Sequence, residues 1–164
     1  MVIDTNTKYF QITTSESQTK KIGMQICQKI IYKILNKANK KYIIILEGKI
    51  GSGKTILTKG IAKELGIKNE VNSPSFILLK TYVTDFNKFH HLDLYRLFNE
   101  QKTTKHLLIE IEELLENIVQ DDIIVIETNQ NIMSFVEDWD FYIQIQVLNS
   151  KTRNIIIEQN NHLL

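Results

Sequence analysis

The chain has 164 residues, 43% of them hydrophobic, with 20 Lys and Arg against 19 Asp and Glu, for a formal net charge of +1. That length suits one domain over residues 1–164, with a short polar tail from about residue 159, and the charge excludes the basic excess of a protein whose main task is gripping nucleic acid. The longest apolar runs fall far short of the ~20 residues that cross a bilayer, and the N-terminal stretch lacks a secretory pattern, so a soluble cytoplasmic protein with no membrane association is expected.

Lys8 to Thr13 alternates weakly and predicts a short strand. Ser15 with Gln18 then reads as a capping box, opening a helix whose apolar face carries Ile22, Ile26, Ile30 and Ile34, with Ile31 and Leu35 beside them. That face should pack on a sheet. Cys27 lies within this helix; as the only cysteine it reads as a small core residue in a reducing compartment rather than as a nucleophile. Asn36 to Lys41 is a polar connection whose lysines are expected to be solvated.

The stretch from Tyr42 to Leu65 carries the strongest signal. Gly48, Gly53, Lys54 and Thr55 fit G-x-x-x-x-G-K-[ST], the phosphate-binding P-loop, preceded by the aliphatic run Ile43 to Leu46 and followed by a helical period at Leu57, Ile61 and Leu65. A loop that curls around a phosphate must aim backbone N–H groups inward, which requires φ > 0 at some positions; Gly48, Gly51 and Gly53 can supply it. The helix beginning near Lys54 adds unpaired N–H groups and the positive end of its dipole, Lys54 adds a full charge, and Thr55 offers a hydroxyl to Mg²⁺. Gly66 is placed to end the helix in the left-handed conformation.

Beyond it, Phe76 to Val83 and Phe89 to Leu92 predict two strands of a hairpin across a polar turn, with Pro74 just ahead. Leu107, Leu108, Ile111, Leu114, Leu115 and Ile118 space as a helix. Ile123 to Ile126 repeats the design of the P-loop strand and exits on Glu127, while Phe141 to Leu148 and Arg153 to Ile157 predict a closing hairpin. The pattern defines an α/β, P-loop NTPase-like fold: a mainly parallel central sheet flanked by helices, with β-hairpins.

Hydrolysis at a P-loop needs an acidic residue at the end of a neighbouring strand, and two qualify, Asp93 and Glu127. Position alone does not choose between them. His90 and His91 are adjacent in a strand and therefore point to opposite faces, so they cannot readily share a metal, and a structural role is expected of both. Trp139 and the tyrosines form no stacking platform.

The P-loop followed by VNSPSFILLKTY, FHHLDLYRL and IIVIE resembles the TsaE (YjeE) family from about Ser15 to Arg153, through the specific motifs S-P-[ST]-[FY] and H-x-D-L-Y-R-L. The resemblance implies a small ATPase using ATP and Mg²⁺. It also implies binding to the TsaD and TsaB proteins in threonylcarbamoyl modification of adenosine 37 of ANN-decoding tRNAs, with tRNA held indirectly through the complex. Carried over, Gly51, Ser52, Gly53, Lys54, Thr55 and Ile56 would wrap the phosphates, and Thr55 and Glu127 would coordinate Mg²⁺. Lys54, Asp93 and Glu127 would be catalytic, Asp93 as the Walker B-like acid. Glu16 and Arg153 match nucleotide-contacting positions, and Ser73, Pro74 and Ser75 a switch-I-like segment.

The chain departs from that pattern in three places. Ile56 replaces a second threonine, so a hydroxyl worth ~1 kcal/mol toward the α-phosphate is lost. Thr128 stands where the family has tryptophan, and the segment between Asp93 and Glu127 is longer and lacks the family's glycine. Two other readings fit a P-loop of this length. A small-molecule kinase would need an arginine-bearing lid, which Arg96 and Arg153, the only arginines, can hardly build. A subunit that binds nucleotide only to brace a complex would show binding without turnover.

Overall fold

The computed structural model describes residues 6–37, 39–73, 79–85, 87–94 and 104–160. In chain order they form β1 (Thr7–Thr13), α1 (Glu16–Leu35), β2 (Tyr42–Glu47), α2 (Lys54–Glu64), β3 (Leu79–Val83), β4 (Lys88–Asp93), α3 (Thr104–Glu116), β5 (Ile123–Thr128), β6 (Phe141–Val147) and β7 (Arg153–Gln159). Local chemistry sets several of these boundaries. Ser15 Oγ accepts the Gln18 N–H at 3.2 Å and opens α1, while Gln18 Oε1 reaches back to the Thr14 N–H at 2.7 Å, one residue before the cap. Gly66, at φ 75°, takes the left-handed turn that stops α2.

One seven-stranded sheet has the order β1-β7-β6-β2-β5-β4-β3. Its centre, β6-β2-β5-β4, is parallel. Antiparallel hairpins extend both edges: β3 pairs with β4, β7 with β6, and β1 with β7. The near-continuous aliphatic runs of β2 and β5 follow from this, because both strands are covered on two faces. On one face Ile44, Leu46, Val125 and Ile143 pack beneath Ile22, Ile26 and Ile30 of α1 and Leu57 and Ile61 of α2. On the other, Ile43, Ile45, Ile124 and Ile126 meet Ile111 of α3 and the residues Ile132, Val136 and Trp139 that precede β6.

Helices α1 and α2 touch through their backbones. A Cβ at Gly60 would stand 2.0 Å from the Lys20 carbonyl oxygen, and one at Gly23 would stand 2.1 Å from that of Leu57.

Three local expectations change. Leu35 is 75% exposed although Ile34 beside it packs against the core, because each residue turns about 100° round a helix and Leu35 falls off the apolar face. Lys40 and Lys41 are not simply solvated: Lys40 forms a 2.7 Å ion pair with the buried carboxylate of Asp140, and Lys41 Nζ donates to the Leu115 carbonyl at 2.7 Å. Gly48 has no positive φ; it is small because a Cβ there would lie 2.5 Å from Ser52 Oγ and 2.9 Å from the Ile145 carbonyl oxygen. The first part of the predicted Phe76 to Val83 strand, Pro74 and the side chains of Leu107 and Leu108 lie outside the described residues. Among the described residues, no helix is long and apolar enough to cross a membrane.

Candidate nucleotide site

Strand direction gathers the chemistry-bearing residues at one end of the sheet. Strands β2, β4 and β5 run parallel and deliver the glycine-rich loop, Asp93 and Glu127 at or near their carboxyl ends. Because β7 is antiparallel to β6, its first residue, Arg153, arrives at that same end. The second reversal restores the original direction in β1, so Thr13 and the start of α1, with Glu16, arrive there too.

The loop turns through Gly51 at φ 73° and Gly53 at φ 110°. Gly53 is the N-cap of α2 and provides no side-chain cap, nor does the first turn carry an acidic residue. The N–H groups of that turn are therefore left without intrahelical acceptors at the positive end of the dipole. They border a cavity of about 460 Å³ lined by Glu16, Gly51, Ser52, Gly53, Lys54, Thr55, Ile56, Glu127 and Arg153, together with Thr14, Ser15, Thr19, Ser150 and Lys151.

Lys54 is largely buried, and its Nζ donates to the carbonyls of Gly48 at 2.6 Å and Lys49 at 3.1 Å. Burial pushes its pKa down, the charges of Glu127 and Asp93 push it back up, and the balance lies below the ordinary lysine value. An anion in the cavity would relieve that desolvation.

Glu127 is only 2% exposed, not the surface carboxylate that a strand exit could equally have produced. Its Oε2 accepts the Thr55 hydroxyl at 3.0 Å; its Oε1 accepts Thr58 Oγ1 at 2.8 Å and His91 Nε2 at 2.8 Å. Burial pushes its pKa up, but the hydrogen bond and charge of His91, with the two threonine hydroxyls, more than offset this and hold it below the ordinary glutamate value. It is held as a carboxylate in a dry place.

Asp93 is the register partner of Glu127 on the adjacent strand, yet it is not among the residues lining the cavity; its Oδ2 accepts the Ser73 hydroxyl at 2.5 Å. Pro74 and Ser75 of that segment lie outside the described residues. Arg153 clasps the loop: its Nε donates to the Ser52 carbonyl at 3.0 Å and its Nη1 to the Asn149 carbonyl at 3.0 Å. Thr128 is buried and turns the chain after β5, donating its hydroxyl to the Gln130 carbonyl and accepting the Gln130 N–H.

The two histidines do face opposite sides. His90 bonds Asp122 and Thr81, whereas His91 reaches into the site, which the sequence reading did not foresee. The signal was present in the period-two alternation that puts His91 on the face of Asp93. Thr58 was legible in the same way, one turn along α2 from Thr55.

These donors suit a phosphate carrying a hard cation. The uncapped helix start and Lys54 favour the anion, and the hydroxyl of Thr55 with the carboxylate of Glu127 favours Mg²⁺. Among the described residues no three His, Cys, Asp or Glu side chains converge on one point, so an ion there would rely on ligand oxygens and water for the rest of its shell, as Mg²⁺ commonly does.

Fold and site define a P-loop NTPase-like α/β protein. The solved structure titled "Crystal structure of Bacillus subtilus YdiB" shares this fold, with a TM-score of 0.63 over 95% of this chain and 88% of that one at 21% identity. The family model for "Threonylcarbamoyl adenosine biosynthesis protein TsaE" matches residues 13–155, and the chain belongs to the TsaE family. Among relatives called "tRNA threonylcarbamoyladenosine biosynthesis protein TsaE", that of Rickettsia felis is 30% identical over 141 residues, which cover 76% of this chain and 78% of the relative. That of Aquifex aeolicus is 41% identical over 88 residues, covering 52% of this chain and 60% of the relative. That of Bacillus subtilis is 43% identical over 60 residues, 37% of this chain and 38% of the relative. The chain thus spans less than two thirds of the length of the last two.

Proposed function

We propose that the chain binds ATP with Mg²⁺ in this cavity and hydrolyses it, as the energy-consuming subunit of threonylcarbamoyl modification of tRNA adenosine 37. It would act beside the TsaD and TsaB proteins, which carry the tRNA. One observation supports this reading above the rest: Thr55 Oγ1 and Glu127 Oε2 meet at 3.0 Å where the uncapped start of α2 faces β5. A glycine-rich turn with no ligand to hold has no need of that pair.

In this reading the backbone N–H groups from Gly51 to Ile56 cradle the phosphates, and Lys54 leaves the carbonyls of Gly48 and Lys49 for the β- and γ-phosphates. Thr55 and Glu127 would hold Mg²⁺, which when bound would supply charge neutralisation to the phosphates. Asp93, steadied by Ser73, is the second acid, placed to orient the attacking water. Glu16 and Arg153 border the nucleotide from the rim. Hydrolysis then rests on charge neutralisation and positioning, with no covalent nucleophile.

The test is phosphate release from Mg-ATP by the purified chain, alone and with TsaD and TsaB, against Lys54→Ala. Lys54-dependent release stimulated by the pair is expected. Near-normal Mg²⁺-dependent release by Lys54→Ala would refute the mechanism. ATP binding with no release in either setting would leave a bracing subunit, with Ile56 and Thr128 as the first positions to revert.

A further inference from the structure

We infer that His91 and Thr58 are positioning residues that fix the Glu127 carboxylate so that a single oxygen, Oε2, is offered to the nucleotide site. The inference rests on the ATPase reading and deepens it. A carboxylate has lone pairs for about four hydrogen bonds and turns easily about its last torsion, so burial alone does not determine which oxygen faces a ligand. Here Oε1 is taken twice, by His91 Nε2 at 2.8 Å and Thr58 Oγ1 at 2.8 Å, and among the described residues Oε2 meets only Thr55, at 3.0 Å.

The Thr58 hydroxyl also lies 3.1 Å from the Lys54 carbonyl oxygen. It has one proton to give, and the shorter, charge-assisted bond goes to Glu127. Three structural elements are thereby locked to one oxygen and its neighbour: β4 through His91, β5 through Glu127, and the first turns of α2 through Thr55 and Thr58.

His91 carries a second observation. It is fully buried, and among the described residues its Nδ1 has no hydrogen-bond partner. A buried nitrogen left bare is unfavourable, and an apolar residue of similar size would avoid it, so packing does not account for a histidine at this position. What the ring supplies is the Nε2–H aimed at Glu127. Thr58 likewise spends its hydroxyl inside the protein, fully buried and bonded to Glu127.

The deciding experiment combines kinetics with structure. His91→Leu and Thr58→Val should fold, lower phosphate release by about 10–100-fold, and raise the Mg²⁺ concentration for half-maximal rate more than the ATP KM. His91→Gln and Thr58→Ser, which can return a donor to Oε1, should recover most of the rate. Crystal structures of the apo chain and of the two apolar variants read the positioning without turnover: Oε2 leaving Thr55 in the variants supports the inference.

The arms separate the two claims. Lys54→Ala and Glu127→Gln losing activity while His91→Leu keeps the parental rate and Mg²⁺ dependence would overturn the positioning role and leave the ATPase reading intact. No Lys54-dependent release from the parent would overturn that reading. The crystal structures would then decide the positioning by themselves, and a carboxylate still 3.0 Å from Thr55 in both variants would overturn it.

Discussion

The two halves of the sheet differ in how they meet water, and the difference sorts the candidate site. In the half built from β4, β5 and β2, helices and the segment before β6 cover both faces, and Ile43 to Leu46 and Ile123 to Ile126 are at most 1% exposed. In the half built from β6, β7 and β1 the cover thins toward the edge: Ile143, Ile145, Ile155 and Ile157 are buried on the α1 side and Tyr142 and Ile156 on the other, but Phe10 and Ile12, on that other face of β1, are 63% and 58% exposed. Groups whose chemistry depends on a low dielectric, Glu127, His91 and Lys54, belong to the covered half. The half-wet sheet contributes Arg153 and the hairpin rim.

Truncation on each side tests that contrast most severely. Ile45→Ala removes a buried branch between β5 and β6 and should cost ~2–5 kcal/mol. Ile12→Ala, on the open face of β1, should stay within ~0.5 kcal/mol. Denaturant unfolding of both variants measures this, and comparable losses would mean that the two halves are equally packed. A smaller effect is expected from the helix layer over the covered half. Gly60→Ala forces α2 off the Lys20 carbonyl and should cost ~1–3 kcal/mol, with a matching fall in Tm. An unchanged Tm would show that the α1–α2 contact yields without resistance.

How much of this could be read beforehand divides along the same line. The strand, loop and helix from Tyr42 to Leu65 were legible because every requirement is local: aliphatic run, glycines, lysine and helical period stand in sequence. Asp93 and Glu127 were legible as candidates for the same reason, each at the end of an apolar strand. Which of them meets Thr55 was not, because that depends on the register of β4, β5 and β2, a long-range property.

His91 was legible from strand alternation. The alternation that forbids a metal shared with His90 also places His91 on the side of Asp93. Asp140 and Lys40 were missed because the partner of a buried carboxylate lay in a loop that looked like ordinary solvated lysine. Arg153 was reached only through the family resemblance, since nothing in a lone arginine at the start of a terminal strand shows that the β6–β7 reversal brings it to the loop.

Arg153 links the loop of one half to the hairpin of the other, and its removal is the mildest of the losses expected within the site. Its guanidinium donates to the Ser52 and Asn149 carbonyls at 3.0 Å, with longer contacts to Ser150 at 3.4 Å and Gly51 at 3.5 Å, so one planar fork ties the glycine-rich loop to the β6–β7 turn. The site is partly open to water, which competes for those carbonyls, and the loop keeps its own bond from Ser52 N–H to the Lys49 carbonyl at 3.1 Å. Arg153→Ala should therefore cost only ~1 kcal/mol globally, while amide exchange at Gly51 to Gly53 accelerates and exchange in β5 stays slow. Arg153→Lys should behave like the alanine variant, because an ammonium cannot span both carbonyl groups at the angles of a guanidinium. If loop exchange were unaltered in both, the rim would be a neighbour of the loop rather than its brace, and the wet half would contribute charge alone.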